Sequence, residues 1–391
     1  MSSSPNGDNV TITLGVEEEL FLVDPDSRDL LSDPDPRIFE ACGEAAGGQK
    51  IVHEFLRSQI ETNTAVHDSV AGVREGLKAA RRLVVEAAQA HGAAVIGAST
   101  HPFAAWEAQL PTPKDRYHQF ASTYQETVRR LVICGMHVHA GFGDFDTRVR
   151  VMTALRRYLP LFIGLSASSP FGASRESGFK CNRLNLFEAM PRTSIPGPLN
   201  SRAEYEALVG EYQRMTFITD GSEIWWDIRP SHKFPTVELR ICDTCPAIED
   251  AMCIVALYAS LIRMLARRDR EGTLHPEPPT EIIVENKWLA QRYGLLAFLG
   301  DTRRGGRIDI ADQLEELVDE LAEDARALGC EQELRHSLTI VREGSSADRQ
   351  LDLYRLRLVE GASKDEALRE VVDLLVSETG ADLEGASPNQ S

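Results

Sequence analysis

Carboxylate, histidine and arginine side chains recur in pairs on short segments in which apolar and polar residues alternate. The first segment is Leu14–Val23, LGVEEELFLV, where strand geometry puts Glu17 and Glu19 on one face and Glu18 on the opposite, otherwise apolar face. Two carboxylates about 7 Å apart along a strand repel each other unless a cation or a strong donor lies between them. This segment alone therefore fits either a solvated edge strand or part of a metal site, and Glu18 has no evident role in either.

Four later segments repeat this arrangement: SQIETNT, GMHVHAGF, WWDIRP and TVELRICD. The polar residues that share a strand face within each segment are, in order, Gln59, Glu61 and Asn63; His137 and His139; Asp227 and Arg229; and Glu238 and Arg240. Carboxylates and histidine bind divalent cations, and arginine neutralises phosphoryl oxygens. If these strands lie in one sheet, their shared face has the composition of a platform for a metal–nucleotide complex. Its members would be Glu17, Glu19, Glu61, His137, Glu238 and Arg240.

The composition limits the classes of partner. The chain of 391 residues is 42% hydrophobic and 26% charged, and its net charge of -18 argues against non-specific binding to nucleic acid or an anionic membrane. The sequence shows no apolar run of membrane-spanning length and no signal peptide at its polar N-terminus. Seven cysteines without a disulfide pattern fit a reduced, cytoplasmic setting. No P-loop or Rossmann glycine motif is found, so any ATP would be held through Mg²⁺ on carboxylates.

The pattern of predicted helices and strands that would position these residues indicates an α+β fold. Helices fall between the predicted strands and gather toward the C-terminus; the strands are expected at 12–23, 58–63, 93–97, 132–142, 224–229 and 236–242. Their alternation favours an antiparallel sheet with two distinct faces. The predicted organisation is a disordered lead at 1–11, a catalytic sheet-and-helix domain at 12–300, a helical part at 301–378 packed on the same domain, and a disordered tail at 379–391.

Taken together, the motifs resemble the carboxylate–amine ligase family, the type 2 branch of the glutamate–cysteine ligases, which is related in fold to glutamine synthetase. The resemblance is carried by segments in family order over roughly residues 13–300: GVEEE, SQIETNT, GMHVHAGF, SASSPF, WWDIRPS, TVELRICDT and ENKWLAQRYGL. It implies a six-stranded, largely antiparallel catalytic sheet with helices packed on it. It also implies ATP-dependent amide formation through an acyl phosphate, with γ-glutamyl transfer to cysteine or a related amine.

The resemblance assigns metal ligands and catalytic arginines. Two or three Mg²⁺ ions, with Mn²⁺ as an alternative, would bridge the ATP phosphates on Glu17, Glu19, Glu61, His137 and Glu238. Arg240 would stabilise the transferring phosphoryl group. Arg183 and Arg229 would contact a substrate carboxylate or phosphate, and a structural pairing with Asp227 is an equal alternative for Arg229.

Further residues have weaker assignments. Lys233, His139 and Asn286 are the predicted nucleotide contacts, and Glu54 is an additional metal-ligand hypothesis. Lys287 lies in the same ENKWLAQRYG segment as Asn286, and helix packing is its default role. The sequence of the loop-rich insertion at 166–199 differs from the one most common in the family. The resemblance therefore does not assign the identity of the amine substrate.

The competing hypothesis is a metal-dependent hydrolase that uses the His137-x-His139 pair, a spacing found in amidohydrolase barrels. Such a barrel needs about eight parallel βα units, and carboxylate-rich strand faces prefer Mg²⁺ to Zn²⁺. The expected partners are therefore ATP and small amino-acid substrates, without nucleic acid or membrane. The sequence does not predict the oligomeric state, and a homo-oligomer is one alternative.

Overall fold

Residues 10–45, 49–381 and 383 are described by the computed structural model. The strands in this part of the chain are β1 (Thr13–Val23), β2 (Lys50–His53), β3 (Gln59–Asn63), β4 (Ala94–Ile96), β5 (Gly135–Gly141), β6 (Phe171–Gly172), β7 (Arg175–Glu176), β8 (Ile228–Pro230), β9 (Val237–Asp243), β10 (Phe298–Asp301) and β11 (Gly306–Asp309). The helices are α1 (Arg37–Ala45), α2 (Val70–Ala90), α3 (Asp115–Tyr124), α4 (Glu126–Arg129), α5 (Phe145–Leu155), α6 (Leu159–Ser166), α7 (Arg183–Phe187), α8 (Arg202–Arg214), α9 (Ile248–Glu271), α10 (Thr280–Tyr293), α11 (Ile310–Glu320), α12 (Ala322–Leu328), α13 (Glu331–Glu343), α14 (Ser346–Val359) and α15 (Lys364–Gly380).

The main sheet has the strand order β2–β3–β1–β5–β9–β8, and β4 also pairs with β1. Its pairings are antiparallel. The α+β class and the antiparallel sheet are therefore confirmed. The sheet has seven strands rather than the six expected, because residues 50–53 form a short edge strand that the sequence pattern did not separate from the strand that follows.

The apolar face of the sheet packs on helices. Met136 and Val138 of β5 and Leu239 of β9 belong to one buried cluster that also contains most of α9. α9 packs in turn against α5, α12 and α13. Because side chains alternate along a strand, burial of this face turns Glu17, His137 and their counterparts on neighbouring strands to the opposite face.

Several elements differ from their predicted bounds. The helix expected over 115–131 is divided at Gln125, whose φ is 52°. A β10–β11 hairpin lies where a domain boundary and then a helix were predicted, with Gly305 at a φ of 67° in its turn. The domain division itself stays a prediction.

The two ends of the chain are described only in part. α15 continues through Gly380, two residues into the predicted tail, and the Leu383 carbonyl accepts a hydrogen bond from Arg82 (2.6 Å). The rest of that tail and most of the predicted lead lie outside the described residues. Among the helices of the described ranges, none combines the length and the apolarity needed to cross a membrane.

Candidate active site

Three side chains of the metal-ligand type meet on the polar face of the sheet. Glu17 of β1 is directly opposite His137 of β5, and Glu238 lies on the next strand, β9. The Nδ1 atom of His137 is 3.5 Å from Oε2 of Glu17 and 4.0 Å from Oε1 of Glu238. One ligand atom from each residue lies within 4.8 Å of the other two. Because Mg²⁺ and Ca²⁺ bind oxygen at roughly 2.0–2.6 Å, a small contraction would let these three side chains share one ion.

A second group of carboxylates lies beside the first. Glu19 is directly opposite Glu61 in the pairing of β1 with β3. Burial raises the pKa of Glu19 to about 8, and repulsion from Glu54 adds to this rise, while Arg183 opposes it. Burial also raises the pKa of Glu61 to about 7, again with repulsion from Glu54. Glu54, which the sequence left as an additional hypothesis, therefore belongs to this group, and a cation would be expected to displace the protons that the group retains.

The hydrogen bonds around Glu19 and Glu61 fix their orientation. The Gly135 N–H donates to Oε2 of Glu19 at 2.7 Å, and the Asn63 amide donates to Oε1 of Glu61 at 2.8 Å. Each of these bonds engages one carboxylate oxygen. The side chains of Glu61 and Glu54 also hydrogen-bond to each other, so this group shares a proton that a bound cation would replace.

The two histidines sit in different electrostatic settings. Burial lowers the pKa of His137 to about 4, with a further contribution from Arg240. His137 is therefore neutral near pH 7, as metal ligation by imidazole requires. Burial also acts to lower the pKa of His139, but hydrogen bonding to Glu17 together with the charges of Glu238 and Glu17 outweighs it, and the pKa is raised. For Glu17 itself, burial acts to raise the pKa, yet the two histidines outweigh it and hold that pKa well below its usual range.

Two arginines converge on Glu238. Arg229 donates from Nε to Oε2 (2.8 Å) and from Nη2 to Oε1 (3.3 Å), and Arg240 donates from Nη1 to Oε1. Burial acts to raise the pKa of Glu238, but the two guanidinium groups hold it well below its usual value. Arg229 also donates to backbone carbonyls of the preceding segment. The alternative pairing of Arg229 with Asp227 is therefore wrong.

Arg240 and Arg183 keep donors that the protein does not use. The Nε atoms of both residues are buried and have no hydrogen-bond partner among the described residues. Arg183 begins α7, and its Nη2 donates to the Arg240 carbonyl at 3.2 Å. Its guanidinium lies so close to Gly135 that a β-carbon at that position would overlap it. Such donors are seldom left unpaired in a folded protein, so these two atoms could serve an anionic ligand.

The predicted nucleotide contacts are distributed differently. Lys233 is exposed in the loop between β8 and β9, with its Nζ 5.0 Å from the centroid of the Phe234 ring. Phe234 stands edge-on to His139, with ring centroids 5.9 Å apart, so this loop covers the His139 end of the site. Asn286 instead exchanges two hydrogen bonds with the backbone of Gly300 in β10 (2.8 and 2.7 Å). Its contact with a nucleotide stays a prediction that this geometry does not support.

The structure explains Glu18, which the sequence could not. Arg81 of α2 binds it through two hydrogen bonds, from Nε to Oε2 (2.9 Å) and from Nη2 to Oε1 (2.6 Å), and both side chains are fully buried. The same guanidinium donates to the carbonyls of Cys245 and Pro246. Glu18 thus anchors β1 to the helical layer and is not part of the polar face. In the sequence, this ion pair is indicated by an arginine at a position of α2 that falls on its apolar face. The two partners are 63 residues apart, so the pairing could not be assigned from sequence.

The fold is that of the glutamate–cysteine ligases. It is similar to the structure of the glutamate–cysteine ligase from Francisella tularensis in complex with AMP, with a TM-score of 0.67 and 13% identity over 96% of this chain and 91% of that one. It is also similar to a bifunctional glutathione synthetase from Pasteurella multocida, with a TM-score of 0.67 and 15% identity over 94% of this chain and 53% of that one.

The chain belongs to glutamate–cysteine ligase family 2, whose sequence model matches residues 13–374. A relative from Rhodospirillum rubrum, provisionally named glutamate–cysteine ligase 2, is 44% identical over 95% of this chain and 96% of its own length. A relative from Bradyrhizobium diazoefficiens with the same name is 42% identical over 90% of this chain and 82% of its own. The protein is therefore an enzyme of the ligase class that forms carbon–nitrogen bonds. The hydrolase hypothesis is wrong, because the main sheet is antiparallel and the family is one of ligases.

Proposed function

We propose that the protein is an ATP-dependent ligase that activates the side-chain carboxylate of glutamate as an acyl phosphate and joins it to cysteine or a related amine. The observation that carries the proposal is the group formed by Glu17, His137 and Glu238, whose ligand atoms lie within 4.8 Å of one another. Arg240 contacts Glu238, and its buried Nε has no partner among the residues described. The names of the relatives and the AMP complex of the F. tularensis enzyme support the substrates.

The residues present fit divalent cations. Glu17, neutral His137 and Glu238 would hold one ion, and Glu19, Glu61 and Glu54 would hold a second. Mg²⁺ or Mn²⁺ bound there would neutralise the charge of the nucleotide phosphates. Lys233 and His139 lie at the end of the site where the β8–β9 loop could contact a nucleotide.

The proposed reaction has two chemical steps, and two arginines would assist it. In the first step an oxygen of the substrate carboxylate attacks the γ-phosphorus, the bond to the β–γ bridging oxygen breaks, and ADP leaves. Arg240 would hold the transferring phosphoryl group, whose charge spreads over its peripheral oxygens. In the second step the amine attacks the acyl carbon, phosphate leaves, and the amine loses a proton. Arg183 would orient the carboxylate substrate.

The test uses hydroxylamine in place of the acceptor amine. With ATP, Mg²⁺ and glutamate, the wild-type protein should form γ-glutamyl hydroxamate together with ADP and phosphate. Glutamate labelled with ¹⁸O in its side-chain carboxylate should transfer one labelled oxygen to that phosphate. Release of AMP and pyrophosphate, or phosphate without label, would contradict the acyl-phosphate route.

The metal assignment has its own variant. Glu17→Gln keeps the size of the side chain but removes the charge that faces both histidines. It should weaken Mn²⁺ binding by about 10- to 100-fold, because each carboxylate ligand supplies much of the affinity of a hard cation. Glu204→Gln on the exposed face of α8 is the matched control and should bind Mn²⁺ as the wild type does.

The proposal includes a cytoplasmic setting. All seven cysteines are buried and unpaired, which supports a compartment that keeps thiols reduced.

A further inference from the structure

A buried lysine lies at the centre of a charged cluster that the proposed chemistry does not use. Lys287 of α10 is 2% exposed. Its Nζ lies 2.5 Å from Oδ2 of Asp227, 2.5 Å from Oε1 of Glu188 and 3.4 Å from Oγ of Ser194. Burial acts to lower the pKa of Lys287, but the two carboxylates outweigh it and raise that pKa. The ammonium is therefore charged and joins α10 to three segments: the C-terminal end of α7, the loop that follows α7, and the residue before β8.

One of these segments leads to Arg240. Asp227 directly precedes β8, and its backbone carbonyl accepts a hydrogen bond from the Arg240 N–H at 2.8 Å. The side chain of Asp227 is held by Lys287 while its backbone is held by β9. Any displacement of Asp227 would therefore be transmitted to the strand position that carries the phosphoryl-binding arginine.

The second segment leads to Arg183. Glu188 caps the C-terminal end of α7, and its N–H donates to the Leu184 carbonyl at 2.9 Å. α7 is a single short turn that begins with Arg183, so the position of Glu188 at one end constrains the arginine at the other. The Lys287 ammonium thus holds, through separate carboxylates, the elements that carry both arginines with unpartnered Nε atoms.

The third segment is the loop after α7, whose backbone is strained and is held by hydrogen bonds from residues outside the loop. Arg192 and Ser194 have φ values of 58° and 73°, in the left-handed region that costs roughly 1 kcal/mol or more for a residue with a side chain. Their carbonyls accept hydrogen bonds from the N–H groups of Trp225 (2.9 Å) and Asp227 (3.0 Å). Lys287 contacts both Ser194 and Asp227, and so it supports this loop where it meets β8.

We infer that Lys287 is a positioning residue for the ligation: by bridging Glu188 and Asp227 it sets the separation of Arg183 and Arg240, and with it the fit of the carboxylate substrate between them. This inference rests on the proposed function. A competing account gives Lys287 a stabilising role alone, as the counter-charge that allows Asp227 to be buried. The two accounts differ in what happens when both charges are removed together.

The experiment compares Lys287→Met with the double variant Asp227→Asn/Lys287→Met. The single variant leaves a buried carboxylate unpaired, so both accounts expect its melting temperature to fall. The double variant removes the unpaired charge and should recover much of that loss. If Lys287 positions the arginines, KM for the carboxylate substrate rises about 10- to 100-fold in both variants, because the bridge to Glu188 is absent from both. Recovery of the wild-type KM in the double variant would overturn the inference.

The matched control is Arg74→Met. Arg74 also bridges two carboxylates, Glu249 and Glu333, but it joins helices behind the sheet. It should lose stability without a change in KM. Assays are run well below the lowest melting temperature of the variants. A rise in KM no larger than that of Arg74→Met would also overturn the inference.

A second measurement separates this inference from the proposed function. Hydrogen–deuterium exchange without substrate should be faster in peptides covering 183–194 and 225–230 in both Lys287 variants than in Arg74→Met. If the wild type shows no ATP-dependent ligation, the proposed function fails and exchange alone decides whether Lys287 holds these segments. If the wild type ligates and the exchange and KM of the variants are unchanged, the positioning role fails and the proposed function stands.

Discussion

Replacement of Arg240 by alanine should remove most of the ligase activity while leaving a folded protein. Arg240 donates to Glu238 from Nη1, and its buried Nε has no partner within the part of the chain that the structure describes. In the variant, Glu238 would keep both hydrogen bonds from Arg229. The change therefore removes a donor that is available to the substrate without leaving the Glu238 carboxylate unpaired.

The size of each effect follows from these contacts. Loss of one preorganised donor to a developing anion costs about 10²- to 10³-fold in kcat, and loss of an arginine on a transferring phosphoryl group costs about 10³- to 10⁵-fold. We expect about 10³-fold for Arg240→Ala, which is about 4 kcal/mol of barrier. Breaking a buried ion pair costs about 3–5 kcal/mol of unfolding free energy when the remaining charge is unpaired. Because Arg229 remains, the expected loss is about 2 kcal/mol.

The assay measures kcat from ADP formation at saturating ATP, glutamate and hydroxylamine, and stability from urea unfolding of the same samples. Arg229→Ala is the contrasting variant. Arg229 already donates to Glu238 and to the carbonyls of Ser222 and Ile224, so its loss should cost more stability than the loss of Arg240. If Arg240→Ala keeps more than about a tenth of the wild-type kcat in a folded protein, the assigned role is wrong.

Two further predictions concern stability. Arg81→Met leaves Glu18 buried and unpaired, so it should lower the unfolding free energy by about 3–5 kcal/mol, and Arg81→Met combined with Glu18→Gln should recover more than half of that loss in urea unfolding. The metal-free protein should lose stability as the pH rises from about 6.5 to 8.5, because Glu19 and Glu61 hold protons in the folded state that the unfolded chain has already released. Below that window His137, whose folded pKa is lowered, acts in the opposite direction. Melting temperatures with and without Mg²⁺ test this, and Mg²⁺ should stabilise the protein more at the upper pH; a melting temperature of the metal-free protein that rises across the window would contradict it.

The polar face of the sheet could be predicted from sequence because strand periodicity is a local property. Glu17 and Glu19 are separated from Glu18 by alternation alone, and the same rule places His137 opposite to Met136. Once the strands pair in register, these side chains must meet, since each strand contributes its polar residues to the same face. The family resemblance then supplied the chemistry that such a face performs.

The ion-pair partners could not be predicted because they depend on how separate elements pair and pack. Asp227 and Arg229 are on one short segment and have opposite charges, so a local pairing was a reasonable hypothesis. Each instead binds a residue from another element, Lys287 and Glu238 respectively. In both cases the deciding factor is desolvation: a buried charge must meet its counter-charge wherever the fold brings one within about 3 Å, and sequence distance has no part in that requirement. Buried charges that break a local pattern, as Glu18 does in β1, therefore mark the long-range contacts of a fold before those contacts can be named.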